Sequence, residues 1–207
     1  MKREEILKVV KEDGLKLEYV HNQDKEICLT AVRQDGNALY YVMKQDKEIC
    51  LEAVRQDGNA LEFVKEQDRE VCLEAVKQKG LALEYVHNQD KEICLTAVRQ
   101  NGDALYYVMK QDKEICLLAV KQNVETIKYI KDEEMLNEIL KELNILYLPK
   151  TYHHRSLIIK DNLCWIGCQR GISIEKLIDR IYNKDGGLKE NPHRQFYLDF
   201  LKENNLK

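Results

Sequence analysis

Apolar residues fall along this chain in a pattern that repeats every 22 positions. Ala38, Leu39, Tyr41 and Val42 make one apolar stripe at helical spacing, and Ile49, Cys50, Ala53 and Val54 make a second, with polar residues between. Asp46 stands before the second stripe, where its carboxylate can accept from unpaired first-turn amides. Gly58 stands after it, where a left-handed residue closes a helix without a Cβ clash. The pattern predicts one helix over about residues 37–44 and another over about 46–56. Copies begin at Gly14, Gly36, Gly58, Gly80 and Gly102.

A period of this length is the signature of a stacked repeat. One copy carries too few apolar side chains to offset the ordering of 22 residues, so stacking has to supply the rest. The expected architecture is a mostly α chain: an α-solenoid of two-helix repeats over 14–123, with helical caps over 1–13 and 124–143. In the first cap Ile6 stands where the repeats have cysteine. In the second, Val124 replaces the glycine, and Met135, Leu136, Ile139 and Leu140 continue the stripe. A leucine-rich repeat can share the period but needs a Leu-x-Leu strand and an asparagine ladder, and the sequence has neither. Residues 144–207 break the pattern and predict a small α+β module of order ββαα. Its hairpin runs over Ser156–Lys160 and Leu163–Cys168 around an Asp161-Asn162 turn. Ser173 caps one helix, and Asn191-Pro192 opens the last.

Residues 80–100 repeat residues 14–34 with a single change, Lys16 against Ala82, which points to duplication of a three-unit block. The motif Gly-Asn-Ala-Leu-x-x-Val, followed by Lys-Glu-Ile-Cys-Leu-x-Ala-Val-Arg/Lys-Gln, resembles the short helical repeats called domain of unknown function 4116. The resemblance covers about residues 1–143. It implies a helical repeat fold and brings no catalytic residues. The tail, with Trp165-Ile166-Gly167-Cys168 and Tyr197-Leu198-Asp199-Phe200-Leu201, is similar to segments that end uncharacterised bacterial and phage repeat proteins.

Charge sharpens the division. Residues 1–143 hold 22 Lys+Arg against 29 Asp+Glu, and residues 144–207 hold 11 against 7. An acidic repeat surface is unsuited to wrapping a phosphate backbone. With no apolar run long enough to span a bilayer, the expected location is the cytoplasm and no membrane contact is expected. Five of the seven cysteines (Cys28, Cys50, Cys72, Cys94, Cys116) recur one repeat apart and are expected in the core, too far apart to pair or to share a metal. Cys164, Cys168, His153, His154 and His193 are the other metal-capable set. On a strand, residues four apart lie about 13 Å from each other, so no metal and no cofactor is expected there.

The expected function is therefore that of a non-enzymatic scaffold or inhibitor that binds a partner protein, in the manner of a bacterial or phage regulatory or counter-defence protein. The binding face is expected on one side of the first helix. Positions spaced i, i+3 and i+6 there vary between copies: Leu15, Asn37, Asn59, Leu81 and Asp103, then Glu18, Tyr40, Glu62, Glu84 and Tyr106, then His21, Met43, Lys65, His87 and Met109. His21, Tyr40, Met43, Lys65, His87, Tyr106 and Met109 are the candidate contacts. The alternative is nucleic-acid or nucleotide binding through a basic patch of Arg155, Arg170, Arg180 and Arg194.

Overall fold

The structure is a computed structural model and describes residues 2–149, 156–161, 163–166, 169–182 and 194–206. The chain divides into two compact units, Met1–Ile130 and Lys131–Lys207. The helix at Glu133–Glu142, expected as a cap of the repeats, thus groups with the second unit.

In the first unit, ten-residue α-helices alternate with six-residue 3-10 helices. The α-helices are α1 (Arg3–Glu12), α2 (Lys25–Gln34), α3 (Lys47–Gln56), α4 (Arg69–Gln78), α5 (Lys91–Gln100) and α6 (Lys113–Gln122). The 3-10 helices are Gly14–Tyr19, Gly36–Tyr41, Gly58–Phe63, Gly80–Tyr85, Gly102–Tyr107 and Val124–Tyr129. Successive α-helices pack side by side in one row and successive 3-10 helices in another, the first five 3-10 helices each lying against the α-helices before and after them.

The α-helix starts where the expected cap stands. Asp46 Oδ1 accepts from Ile49 N at 2.9 Å, and Asp24, Asp68, Asp90 and Asp112 do the same one repeat apart. The other expected helix is shorter than the 37–44 anticipated, and it is not α. Asp35 leaves α3's predecessor extended at φ −146°, and its carboxylate caps Asn37 N. Val42 N then closes on Leu39 O, an i→i−3 bond, and the helix ends.

The repeat glycine also has a different role from the one expected. None of the repeat glycines has a positive φ. A Cβ built on Gly58 would lie 2.6 Å from Ala75 O and 2.9 Å from Gln78 Oε1. Glycine is needed because the 3-10 helix presses its backbone against the last turn of the following α-helix, and Gly58 N donates to Gln78 Oε1 at 2.7 Å.

Leu39, Ala53 and Val54 and their equivalents are fully buried, as are Ala38, Ala60, Ala82 and Ala104, while Lys16 at that register in the first copy is exposed; Ile49 and Cys50 are nearly buried. The five repeat cysteines are buried as anticipated, between 0% and 5% exposed. Burial pushes the thiols of Cys50, Cys72 and Cys94 up to about 11.

In the second unit, α7 (Glu133–Glu142) precedes a four-stranded antiparallel sheet in the order β1 (Leu146–Leu148), β2 (Leu157–Lys160), β3 (Leu163–Ile166), β4 (Gln169–Ser173). Helices α8 (Ile174–Tyr182) and α9 (Arg194–Glu203) follow. The hairpin of β2 and β3 is as expected, with Leu157 opposite Ile166 and Lys160 opposite Leu163. The two outer strands were not anticipated, so the module is ββββαα. Ser173 caps α8 by accepting from Lys176 N at 3.2 Å. The expected opening of the last helix at Asn191-Pro192 lies outside the described residues. Leu157, Ile159, Cys164, Ile166, Leu177, Tyr197 and Leu201 form the core of this unit.

Candidate functional site

Two glutamine ladders hold the repeats in register, and between them they fix what is left to face outward. In the first, Gln34, Gln56, Gln78 and Gln100 accept from the amides of Gly14, Gly36, Gly58 and Gly80 at 2.6–2.7 Å. In the second, each glutamine lies in the turn before an α-helix. Gln45 Nε2 donates to Phe63 O at 2.9 Å, and Gln45 Oε1 accepts from Lys65 N at 3.0 Å. Gln23, Gln67 and Gln89 make the same pair of bonds to the next repeat. The buried thiols of Cys28, Cys50, Cys72 and Cys94 donate to the same oxygens. A primary amide suits this place because it offers one acceptor and one donor in a fixed plane, matching a carbonyl and an N–H two residues apart.

The backbones of Met43, Lys65, His87 and Met109 are therefore tied to the preceding repeat. Their side chains, with that of His21, are exposed. They lie beyond the 3-10 helix, so the expected i, i+3, i+6 stripe is not one helical face. Its third position sits in the turn beside the N-termini of the α-helices. Lys65 Nζ turns back there to the carbonyls of Val42 and Met43, at 3.3 and 3.4 Å.

A ladder of ion pairs runs along the same edge. Lys25 Nζ reaches Asp46 at 2.9 Å and Glu48 at 2.7 Å, and Lys47 reaches Asp68 and Glu70 at the same distances. Arg3, Arg69 and Lys91 repeat the arrangement with the cap aspartate and following glutamate of the next α-helix. The amide of Ile49, and next the Lys25 ammonium, hold the Asp46 carboxyl below its usual range; the amide of Val71, and next Lys47, do so for Asp68.

The second position of the stripe forms a different surface. Tyr40 and Tyr106 are 65% and 59% exposed, and each touches two further rings edge-on. Tyr40 meets Tyr41 at 5.1 Å and Phe63 of the next repeat at 5.4 Å; Tyr106 meets Tyr107 at 5.0 Å and Tyr129 at 5.2 Å. In the other copies this position is glutamate, which acts electrostatically on the ring of the next repeat. Glu18 is the main influence that lifts the Tyr41 phenol above its usual range. Burial, then Glu62 and Glu84, lifts that of Tyr85. For Tyr107 the cause is burial first and then Glu84, which also hydrogen-bonds to it.

The inner row of Tyr41, Phe63, Tyr85, Tyr107 and Tyr129 is half-buried. Of this row, Tyr41 was expected in the apolar stripe. The row's signal in the sequence was an aromatic at the same register in every copy, including the first, Tyr19.

Of the alternative basic patch, Arg155 lies outside the described residues. Arg170 is on β4, Arg180 on α8 and Arg194 at the start of α9, and their side chains also lie outside. His153, His154, Cys168 and His193 are outside too. Cys164 is fully buried, and burial pushes its thiol up to about 11. Among the described residues no three His, Cys, Asp or Glu side chains are grouped so as to hold a metal ion, and no helix is long and apolar enough to cross a membrane.

Comparison with known proteins adds the family. The profile of the domain of unknown function DUF4116 matches residues 2–45, 43–67, 68–111 and 90–136, well over half of the chain, and the protein belongs to that family. No curated protein and no solved structure matches it.

Proposed function

We propose that the repeat unit is a protein-binding scaffold that works by presenting a surface, with no reaction centre of its own. The observation that carries this reading is the contrast between positions. Apart from Lys16 and Lys79, residues that build the ladders, caps and core recur from copy to copy, whereas exposed positions change and place large apolar groups in water, Tyr40 and Tyr106 on the 3-10 helices and Met43 and Met109 in the turns after them. Exposed apolar patches of this kind mark contact surfaces, and tyrosine and methionine are enriched in them.

The test is a double substitution, Tyr40→Ala with Tyr106→Ala. Both rings lie on the surface, so the circular dichroism spectrum and unfolding midpoint should stay near those of the parent. Affinity capture should weaken about thirtyfold if the pair contributes one hot spot's worth of binding, about 2 kcal/mol. A folded double variant that captures its partner as tightly as the parent places the binding surface elsewhere.

A further inference from the structure

The two rows of the repeat unit differ in how many cations stand beside their carboxylates. On the α-helix row, the cap aspartates and their neighbouring glutamates are paired with a lysine or arginine of the preceding helix. The 3-10 row, as described, has five carboxylates (Glu18, Glu62, Glu84, Asp103, Glu125) and two lysines, Lys16 and Lys128. Both lysines lie over rings of their own helix: Lys16 Nζ, which also pairs with Asp13 at 3.7 Å, is 5.8 Å from the centroid of Tyr19, and Lys128 Nζ is 4.8 Å from that of Tyr129.

Those two contacts fall in the first and last 3-10 helices. The four helices between, from Gly36–Tyr41 to Gly102–Tyr107, hold Tyr40, Tyr41, Phe63, Tyr85, Tyr106 and Tyr107 with Glu62, Glu84 and Asp103, and no lysine or arginine. The chain thus shows at both ends of the strip what its middle accepts.

We infer that the strip from Tyr40 to Tyr107 binds an extended lysine- or arginine-rich segment of a partner protein, with cations over the rings and against Glu62 and Glu84. The inference rests on the scaffold reading above and names the chemistry of its partner. Ring faces and carboxylates attract the same group, and each exposed cation–ring contact is worth about a two- to fivefold factor in affinity. Spacing fits as well. Neighbouring helices stack about 8–10 Å apart and an extended chain advances about 3.3 Å per residue, so roughly every third side chain meets a new repeat.

The test uses the full chain and a fluorescein-labelled peptide of about 18 residues repeating Lys-Ser-Ser, long enough to cross the strip, with a Glu-Ser-Ser peptide as its counterpart. Anisotropy should show binding of the lysine peptide and none of the glutamate peptide. Glu62→Gln with Glu84→Gln should weaken binding about tenfold, since it removes both central carboxylates, and Tyr40→Ala with Tyr106→Ala should weaken it by a similar factor. Glu133→Gln with Glu134→Gln, the same charge change on exposed residues of the other unit, should alter it less than about twofold.

Equal weakening by the two glutamine pairs would mark diffuse attraction and overturn the inference. Absence of binding to the lysine peptide would overturn it too. If the tyrosine pair still abolished capture of the cellular partner in that case, the scaffold reading would stand with a partner of other chemistry. Self-association of the free protein in sedimentation, lost in the tyrosine variant, would assign the strip to a second copy of the chain and overturn the inference.

Discussion

The repeats and the C-terminal unit end their α-helices in different ways. In the C-terminal unit, α7 and α9 each close on a left-handed asparagine, Asn144 at φ 51° and Asn205 at φ 55°. Ile145 N returns to Leu140 O and Leu206 N to Leu201 O, so each helix satisfies its own last carbonyls. In the repeats, α3 ends on Asp57, extended at φ −142°, whose side chain already caps the following 3-10 helix. The end of that helix is finished by its neighbours: the glycine of one 3-10 helix donates to the glutamine of the α-helix after it. A helix that must end alone uses backbone conformation, and one that ends against a copy of itself uses the copy.

The same difference governs the cores. Ladder and ion-pair contacts of the repeats span 18 to 23 residues and recur at each step. The core of the second unit draws on all four strands and on helices α8 and α9, from Leu146 to Leu206, with no repeating unit among them. A stack of like units is expected to behave as a one-dimensional array, and the second unit as one cooperative body.

The most severe way to probe this comparison removes a buried leucine from each unit. Leu61→Ala in the repeats and Leu177→Ala in the sheet unit both empty a fully buried site, and each should cost about 2–5 kcal/mol. Trp165, the single tryptophan, lies on β3 and reports on the second unit, while far-UV circular dichroism is dominated by the repeats. Leu177→Ala should shift the tryptophan transition in urea and leave the dichroism transition in place, and Leu61→Ala should do the reverse. A common shift of both signals would show that the two units unfold as one.

A subtler pair tests the two uses of glycine. Gly58→Ala forces a Cβ against Ala75 O and should cost about 1–3 kcal/mol through overpacking. Gly171 has φ +63° and nothing within 4 Å of a Cβ, so Gly171→Ala pays only for its left-handed backbone, about 1–2 kcal/mol. Asparagine tolerates that conformation but is larger than alanine. Gly171→Asn should therefore recover part of the loss, and Gly58→Asn should be worse than Gly58→Ala. Denaturant midpoints decide it, and rescue of Gly58 by asparagine would refute the close-approach account.

The smallest effect is expected from a single ladder step. Gln67→Met keeps the shape but leaves Tyr85 O without its donor and His87 N without its acceptor, at a cost of about 1–2 kcal/mol since the site is only partly buried. Hydrogen exchange should speed at the His87 amide. An unchanged exchange rate there would mean that the ladder contributes nothing to register.

Much of this was legible before the structure. The 22-residue period, the aspartate caps, the buried cysteines and the β2–β3 hairpin follow from short-range pattern: an apolar stripe, a carboxylate three residues before it, a two-residue turn between alternating runs. The outer strands β1 and β4 were missed because Leu146–Leu148 is three residues long and Gln169–Ser173 carries no apolar run. The candidate face was read in part. Tyr40 and Tyr106 were placed on the outward face, with Glu18, Glu62 and Glu84 at the same varying position, but Tyr41 beside Tyr40 was read as part of the apolar stripe.

By itself, then, the sequence determined the repeat, the register of its α-helices and which side chains leave water, because those depend on neighbours three or four residues away. The tertiary structure alone decided that the second helix is 3-10, that its glycine answers a carbonyl and not a dihedral angle, and that glutamines bind copy to copy. The last two depend on atoms supplied 17–20 residues along the chain, whose positions no local pattern records.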